Sequence, residues 1–499
     1  MEQTATLHPA IILTIIIGYF VALVIVSYFT ARNSDNQTFF LADRQSPWYV
    51  VAFGMVGGSL SGVTFISVPG WVGSGQFAYM QMVLGYLLGY YVIGWILIPL
   101  YYRANLTSIY TYLDTRFGTT AYRTGSAFFM LSRTIGSGFR MYIVIMVLQK
   151  FVFDAANIPF WVSSLMIIVF ILIYTYKAGI KTIVWTDTLQ TICLLSALFY
   201  TIYFVGNQMN LNASGIITAV KNSPYSQIFF FDGGWSDPNN FFKQFLSGAF
   251  IAIVMTGLDQ DMMQKNLTCK NIGEAQKNIA WYSTTLVFVN LLFLSLGALL
   301  YLYCSQHGIE LPTKTVNGIT KTDSDMLFPT LAMYHFPMAI AILFVLGMVA
   351  SAYSSVDSAL TALTTTFCMD FLDFDKLQWD EQRKIRTRVT VHIGFALLML
   401  LVIVIFGFVK NEAVIKAVFD VAGYTYGPLL GLFAFGFYTR YKIHDRWSVW
   451  VCLAAPILTY FLDKYSVTLF FGYKFGFEKL IINGLLTFIG LWLIAKRKK

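Results

Sequence analysis

Residues 11–28 read IILTIIIGYFVALVIVSY, without a single charged side chain. A run of that length, coiled as a helix, crosses the hydrocarbon core of a bilayer, which is about 30 Å thick. Lipid offers the backbone no hydrogen-bond partner, so such a run must be a helix or part of a closed barrel. Barrel strands alternate in segments of roughly ten residues. This run is continuous instead, as is LLMLLVIVIFGF at 397–408. Working outward, similar stretches lie near residues 9–31, 48–72, 77–102, 121–150, 158–177, 185–206, 242–262, 279–304, 330–368, 388–409, 414–437, 446–463 and 475–495. The chain is therefore expected to be an all-α, polytopic membrane protein of about 13 transmembrane helices. The stretch at 330–368 exceeds one crossing and is expected to run on into the cytoplasm.

Composition agrees. Hydrophobic residues make up 57% of the 499 and charged residues 12%, about half the charged share of a soluble domain. The net charge of +9 could suggest nucleic acid, but its placement suggests topology. With the N-terminus outside, Arg383, Lys384, Arg386, Arg388 and the tail Lys496, Arg497, Lys498, Lys499 all fall inside, as the positive-inside rule requires. The expectation is a multi-pass protein of the inner or plasma membrane with a cytoplasmic C-terminus and no nucleic-acid partner. The first residues lack a basic n-region and the run after them is too long for a signal peptide, so that span is expected to be retained. Five cysteines stand without paired or metal-ligand spacing. No linker or soluble domain divides residues 1–499. The long polar stretches, 207–240 and 305–329, are expected outside.

Carriers built from inverted repeats have first helices broken at mid-membrane. Candidate breaks are Gly57, Gly58 and Ser59 in the second stretch and Ser247 and Gly248 in the seventh. They would open two five-helix sets, about 48–206 and 242–437, with peripheral helices at 9–31, 446–463 and 475–495. In GGSLSGVT (57–64), adjacent glycines favour unwinding, and three hydroxyls add oxygen ligands; close helix packing through small residues would look the same. In SAYSSVDS (351–358), Ser351, Ser354, Ser355 and Ser358 recur at helical spacing and Asp357 adds an acid. An acid in a membrane helix is a functional candidate, unless it snorkels to the cytoplasm. Asp187, in WTDT (185–188), is either such an acid or an interfacial N-cap. Asp259 and Asp261, in DQDMMQK (259–265), line a cavity mouth or mark where the helix meets water. Arg133 and Arg140 share a face, Arg140 the deeper, and could hold a solute carboxylate or an acidic side chain. The five histidines stand alone, and no HExxH, GxSxG or P-loop pattern occurs. An enzyme is not expected.

These clusters, with SLSGVTFISVPG (59–70), WTDTLQ (185–190), SAYSSVDSALTALTT (351–365) and GYTYGPLLGLF (423–433), resemble the sodium:solute symporter family over about residues 10–440. The resemblance implies a leucine-transporter-like five-plus-five fold and sodium as the coupling ion, with no organic cofactor. It places a first sodium on the backbone carbonyls of Gly57, Leu60 and Ser351 and the hydroxyls of Ser354 and Ser355. Some members hold a second sodium near positions matching Asp187, Ser354, Asp357 and Ser358; sialic acid members carry serine where this chain has Asp357. For the solute it suggests Tyr79 and Asp259, with Gln81 two residues from the matching position, Val83. The family's carboxylate-binding arginine falls nearer Ser137 than Arg140. The reading is a secondary symporter coupling sodium influx to uptake of a sugar, sugar acid or amino acid by alternating access, in which one chain suffices. Proton coupling on the same fold, through Asp187 and Asp357, and an ion channel are the alternatives.

Overall fold

The computed structural model describes residues 7–30, 39, 40, 42–175, 179–316, 319–374, 376–408 and 414–496. They are almost wholly helical. In chain order the long helices are α1 (Pro9–Thr30), α2 (Trp48–Ser59), α3 (Gly62–Gly75), α4 (Tyr79–Arg103), α5 (Thr119–Ala156), α6 (Phe160–Thr175), α7 (Gly179–Gln208), α8 (Phe241–Gly257), α9 (Gln260–Asn266), α10 (Ile272–His307), α11 (Met338–Phe371), α12 (Glu381–Phe408), α13 (Lys416–Thr425), α14 (Gly427–Tyr438), α15 (Ser448–Lys464) and α16 (Lys479–Leu493). A short antiparallel hairpin, β1 (Thr313–Val316) with β2 (Ile319–Thr322), lies in the 305–329 stretch.

Seven of these helices are long and apolar enough to cross a membrane. Three bent pairs bring the number to ten when each counts as one span: α2 with α3 (56°), α8 with α9 (69°) and α13 with α14 (46°). Helix or bent pair occupies each of the thirteen apolar stretches; the full count of thirteen crossings stays an expectation. Burial separates centre from rim. In α11, 78% of the most apolar window is buried, against 28% in α1 and 22% in α12. A helix buried on every side belongs to the core, and α11 packs on α7, α5 and α1, while α7 also packs on α2.

The breaks fall partly where the glycines suggested. The second stretch bends at Leu60 and Ser61, just past Gly57 and Gly58, which remain helical. The seventh does not break at Ser247 and Gly248. A Cβ on Gly248 would collide with the Met82 carbonyl oxygen, and one on Gly85 with that of Phe245. These glycines serve close packing of α8 on α4, the role small residues take between membrane helices. The seventh stretch turns ten residues later, where Ile253–Gly257 widens to a π turn, the Leu258 N–H donates to the Ile253 carbonyl (2.9 Å), and Asp259 caps α9. The third bend, at Tyr426, had no glycine pair to announce it. His392 is a packed histidine, held by the Thr175 and Thr364 hydroxyls at 2.9 Å each.

Candidate functional site

At the first break, the Ser61 N–H donates to the Ser59 carbonyl (3.0 Å) rather than continuing the ladder to Gly57. That leaves the Gly57 carbonyl without its helical donor, as at any helix C-terminus. The serine face of α11 lies opposite. A Cβ on Gly58 would be 3.6 Å from Ser354 Oγ, and one on Gly62 3.7 Å from Ser351 Oγ. The structure thus sets Gly58 and Gly62, on either side of the break, beside Ser354 and Ser351; Gly57, Leu60, Ser351, Ser354 and Ser355 are all buried. Ser351 donates to the Met348 carbonyl (2.8 Å) and Ser355 to the Ser351 carbonyl (3.1 Å). Ser354 instead donates across to Asp187 Oδ1 (2.6 Å).

Asp187 is not an interfacial cap. α7 begins at Gly179, so Asp187 lies two turns inside it and is fully buried. Nor does Asp357 reach water: it too is fully buried, with Tyr174 OH donating to Oδ2 (2.9 Å) and the Ser358 N–H to Oδ1 (2.6 Å). Ser358 donates to the Ser354 carbonyl (2.7 Å) and lies 3.2 Å from Asp261 Oδ2.

Two bases complete the cluster. Lys265 Nζ stands 2.7 Å from Asp187 Oδ2 and 3.9 Å from Asp261 Oδ1. Arg133 on α5 pairs with Asp261, and its Nη1 is 3.7 Å from Asp259 Oδ2. Asp259 accepts the Asp261 N–H (3.0 Å), the Met262 N–H (3.3 Å) and Tyr426 OH (2.6 Å). One chain of charge therefore runs from α7 through α9 and α5 to the third bend, with four buried carboxylates against two buried bases. Asp187, Asp259 and Asp261 are each near one of the two bases, whereas Asp357 accepts from neutral donors, and DQDMMQK turns inward rather than toward water. The signal in the sequence was charge in an apolar helix. The pairing was not legible, because Arg133 and Asp261 are 128 positions apart.

Beside this network lies a cavity of about 100 Å³. Ser59, Ser61 and Thr64 from the first break line it, with Tyr79, Tyr86 and Tyr90 from α4, Arg133 and Arg140 from α5, Thr256 from α8, and Tyr282 and Asn290 from α10. Hydroxyls chain along its wall: Ser59 to Tyr282 (2.6 Å), Tyr282 to Tyr90 (3.0 Å), and Tyr79 to Tyr86 (3.4 Å). Phe419 on α13 also lines it, with its ring 6.4 Å from Tyr79 and 5.0 Å from Phe477. Arg140 differs from Arg133: among the described residues its guanidinium has neither ion pair nor hydrogen bond. Two other expected solute residues are not on the wall. Gln81 is spent on the 207–240 stretch, donating to the Asn239 carbonyl (2.9 Å) and accepting the Phe230 N–H (3.1 Å). Asp259 sits behind Arg133 and Met262, both of which line the cavity and contact its carboxylate.

Comparison with known proteins places this arrangement. Residues 39–444 match the sodium:solute symporter family. The chain is 25% identical to a sodium/sialic acid symporter of Aliivibrio fischeri over 477 residues, covering 92% of this chain and 89% of that one. Its fold superposes on a sodium-coupled sialic acid symporter in a substrate-bound, outward-open state with a TM-score of 0.81, at 20% identity and over 98% and 99% of the two chains. A nucleobase–cation symporter in a closed conformation follows at 0.57, 14% identity, and 93% and 95% coverage. Both share this chain's leucine-transporter-like fold. The chain belongs to the sodium:solute symporter family: it is a multi-pass membrane carrier, not an enzyme, and couples sodium entry to the uptake of a small organic solute.

Proposed function

We propose that the solute is a small carboxylate, held at Arg140 in the cavity, and that two sodium ions enter with it. The observation that carries this reading is the unpartnered Arg140 guanidinium among hydroxyls. A half-buried cation facing a cavity, without an ion pair among the described residues, favours an anionic guest, and its planar fork matches a carboxylate. The relatives named for sialic acid, itself a carboxylate, are consistent with it.

The first sodium is assigned to Gly57, Leu60, Ser351, Ser354 and Ser355, and the second to Asp187, Asp357, Ser354 and Ser358. Charge supports two. Among the described residues Asp357 has only neutral donors, so two sodium ions would neutralise the four carboxylates that Arg133 and Lys265 balance in part. The solute carboxylate would do the same for Arg140. Tyr79 supplies the aromatic wall, Asp259 sets Arg133, and Gln81 holds the 207–240 stretch. The halves 48–206 and 242–437 would rock about these sites, with the N-terminus outside, the C-terminus cytoplasmic, and one chain sufficient.

Uptake into proteoliposomes tests the solute class, using N-acetylneuraminate, lactate, glucose and proline as probes under a sodium gradient and, separately, under potassium. A carboxylate should be taken up in sodium only. Arg140→Ala should raise its KM about 10- to 150-fold, the worth of a hydrogen bond to a charged group, about 1.5–3 kcal/mol. Uptake of glucose, untouched by that substitution, refutes the carboxylate. For the first sodium, Ser354→Ala and Ser355→Ala should each weaken sodium binding by about 1–3 kcal/mol while the fold persists. Unchanged sodium dependence in the double variant removes these hydroxyls from the site.

A further inference from the structure

We propose that Lys265 is a tethered rival of the coupling cation: its ammonium and a sodium ion occupy the Asp187–Ser354 position alternately, and sodium arriving there moves the ammonium onto Asp261. This rests on the sodium-coupled reading but not on the identity of the solute.

The geometry is that of a cation site with an occupant of the wrong kind. Lys265 Nζ is 2.7 Å from Asp187 Oδ2, while Ser354 donates to the other oxygen. The ammonium lies against the broken span, where a Cβ on Gly58 would come within 2.8 Å of Nζ. Carboxylate and hydroxyl oxygens are the ligands a hard cation takes. Among the described residues neither Nζ nor Asp187 Oδ2 makes a hydrogen bond, and Lys265 is 1% exposed. An ammonium carries three directed donors; among the described residues no hydroxyl or carbonyl accepts from this one, and its partners are the two carboxylates.

A second carboxylate waits nearby. Asp261 Oδ1 is 3.9 Å from the same nitrogen, one helical turn back along α9. Lysine suits such an exchange, since it is a point charge on a flexible stem, whereas arginine's rigid fork favours fixed pairing. The exchange also has a consequence for the cavity. Asp261 already holds Arg133, which lines the solute cavity. A second cation on Asp261 loosens that pair and frees positive charge toward the solute. Sodium at Asp187 would then strengthen solute binding, and by linkage the solute would strengthen sodium binding equally.

Sodium titration of the purified full-length protein, without solute, tests the proposal. Binding is read from thermal stabilisation, with choline replacing sodium at constant ionic strength. Lys265→Met and Lys265→Gln remove the rival and should bind sodium about tenfold or more tightly. Lys265→Arg, whose fork can span both carboxylates, should bind it about threefold or more weakly. Asp261→Asn removes the landing place and should weaken sodium binding about tenfold beside Lys265, yet have no effect in the Lys265→Met background. A merely structural lysine gives no such dependence on background. Unchanged or weaker binding in both neutral variants overturns the proposal. Should neither fold, Lys265→Arg binding sodium as tightly as the parent does so instead. A parent protein indifferent to sodium removes the sodium sites and the proposal together, whereas a sodium response independent of Lys265 removes the proposal alone.

Discussion

Asp187→Asn is expected to reduce steady-state accumulation of a monocarboxylate from several-thousandfold to about tenfold. The arithmetic follows from the proposed stoichiometry. Two sodium ions and one anion carry one net charge inward, worth about 2.3 kcal/mol at 100 mV. Each sodium adds about 1.4 kcal/mol from a tenfold gradient. Together they supply about 5 kcal/mol, or several-thousandfold accumulation. Without Asp187 the second cation loses its carboxylate, and one sodium with one anion is electroneutral. The membrane potential then does no work, and about 1.4 kcal/mol remains. Proteoliposomes clamped at set potentials by potassium and valinomycin would measure it. The parent should respond to potential and Asp187→Asn should not. A parent whose accumulation ignores the potential would sink the second sodium.

The largest effect on stability is expected at Arg133. Arg133→Met removes the buried partner of Asp261 and the near neighbour of Asp259. Breaking a buried pair from one side strands a charge and costs about 3–5 kcal/mol. The thermal midpoint in detergent should fall steeply. Arg133→Met combined with Asp261→Asn should recover more than half of the loss, because Asp261 is then no longer stranded and Asp259 keeps its donors from Tyr426 and the α9 backbone. Arg140→Met is the informative contrast. Arg140 lies two turns along the same face of α5 but, among the described residues, has neither ion pair nor hydrogen bond, so that variant should keep the parent's midpoint while losing solute. Equal destabilisation by the two substitutions would mean that Arg140 is a structural cation, and the carboxylate reading would fall with it.

The run at 11–28 and its counterparts determined, without any tertiary information, that this chain is a bundle of membrane helices. Hydrocarbon thickness and helical rise are the same at every point of the chain, so span length is a local property. The serine face of α11 was legible for a similar reason: Ser351, Ser354, Ser355 and Ser358 repeat with the helix itself. The first break was nearly so, since adjacent glycines weaken a helix wherever they stand. What tertiary structure decided was partnership. Gly248 looked like Gly58 in sequence, but the Met82 carbonyl pressed against it makes it a packing contact, while the turn moved to Leu258 and Asp259. Gln81 sat near a family solute position, but the 207–240 stretch claims its amide. Asp187 had the local chemistry of a cap, and only the position of Gly179 put it two turns deep. Lys265 and Arg133 found their carboxylates on other spans or across a bend. A buried charge is settled by whatever counter-charge helix packing brings within a few ångströms, and that distance in space has no expression along the sequence.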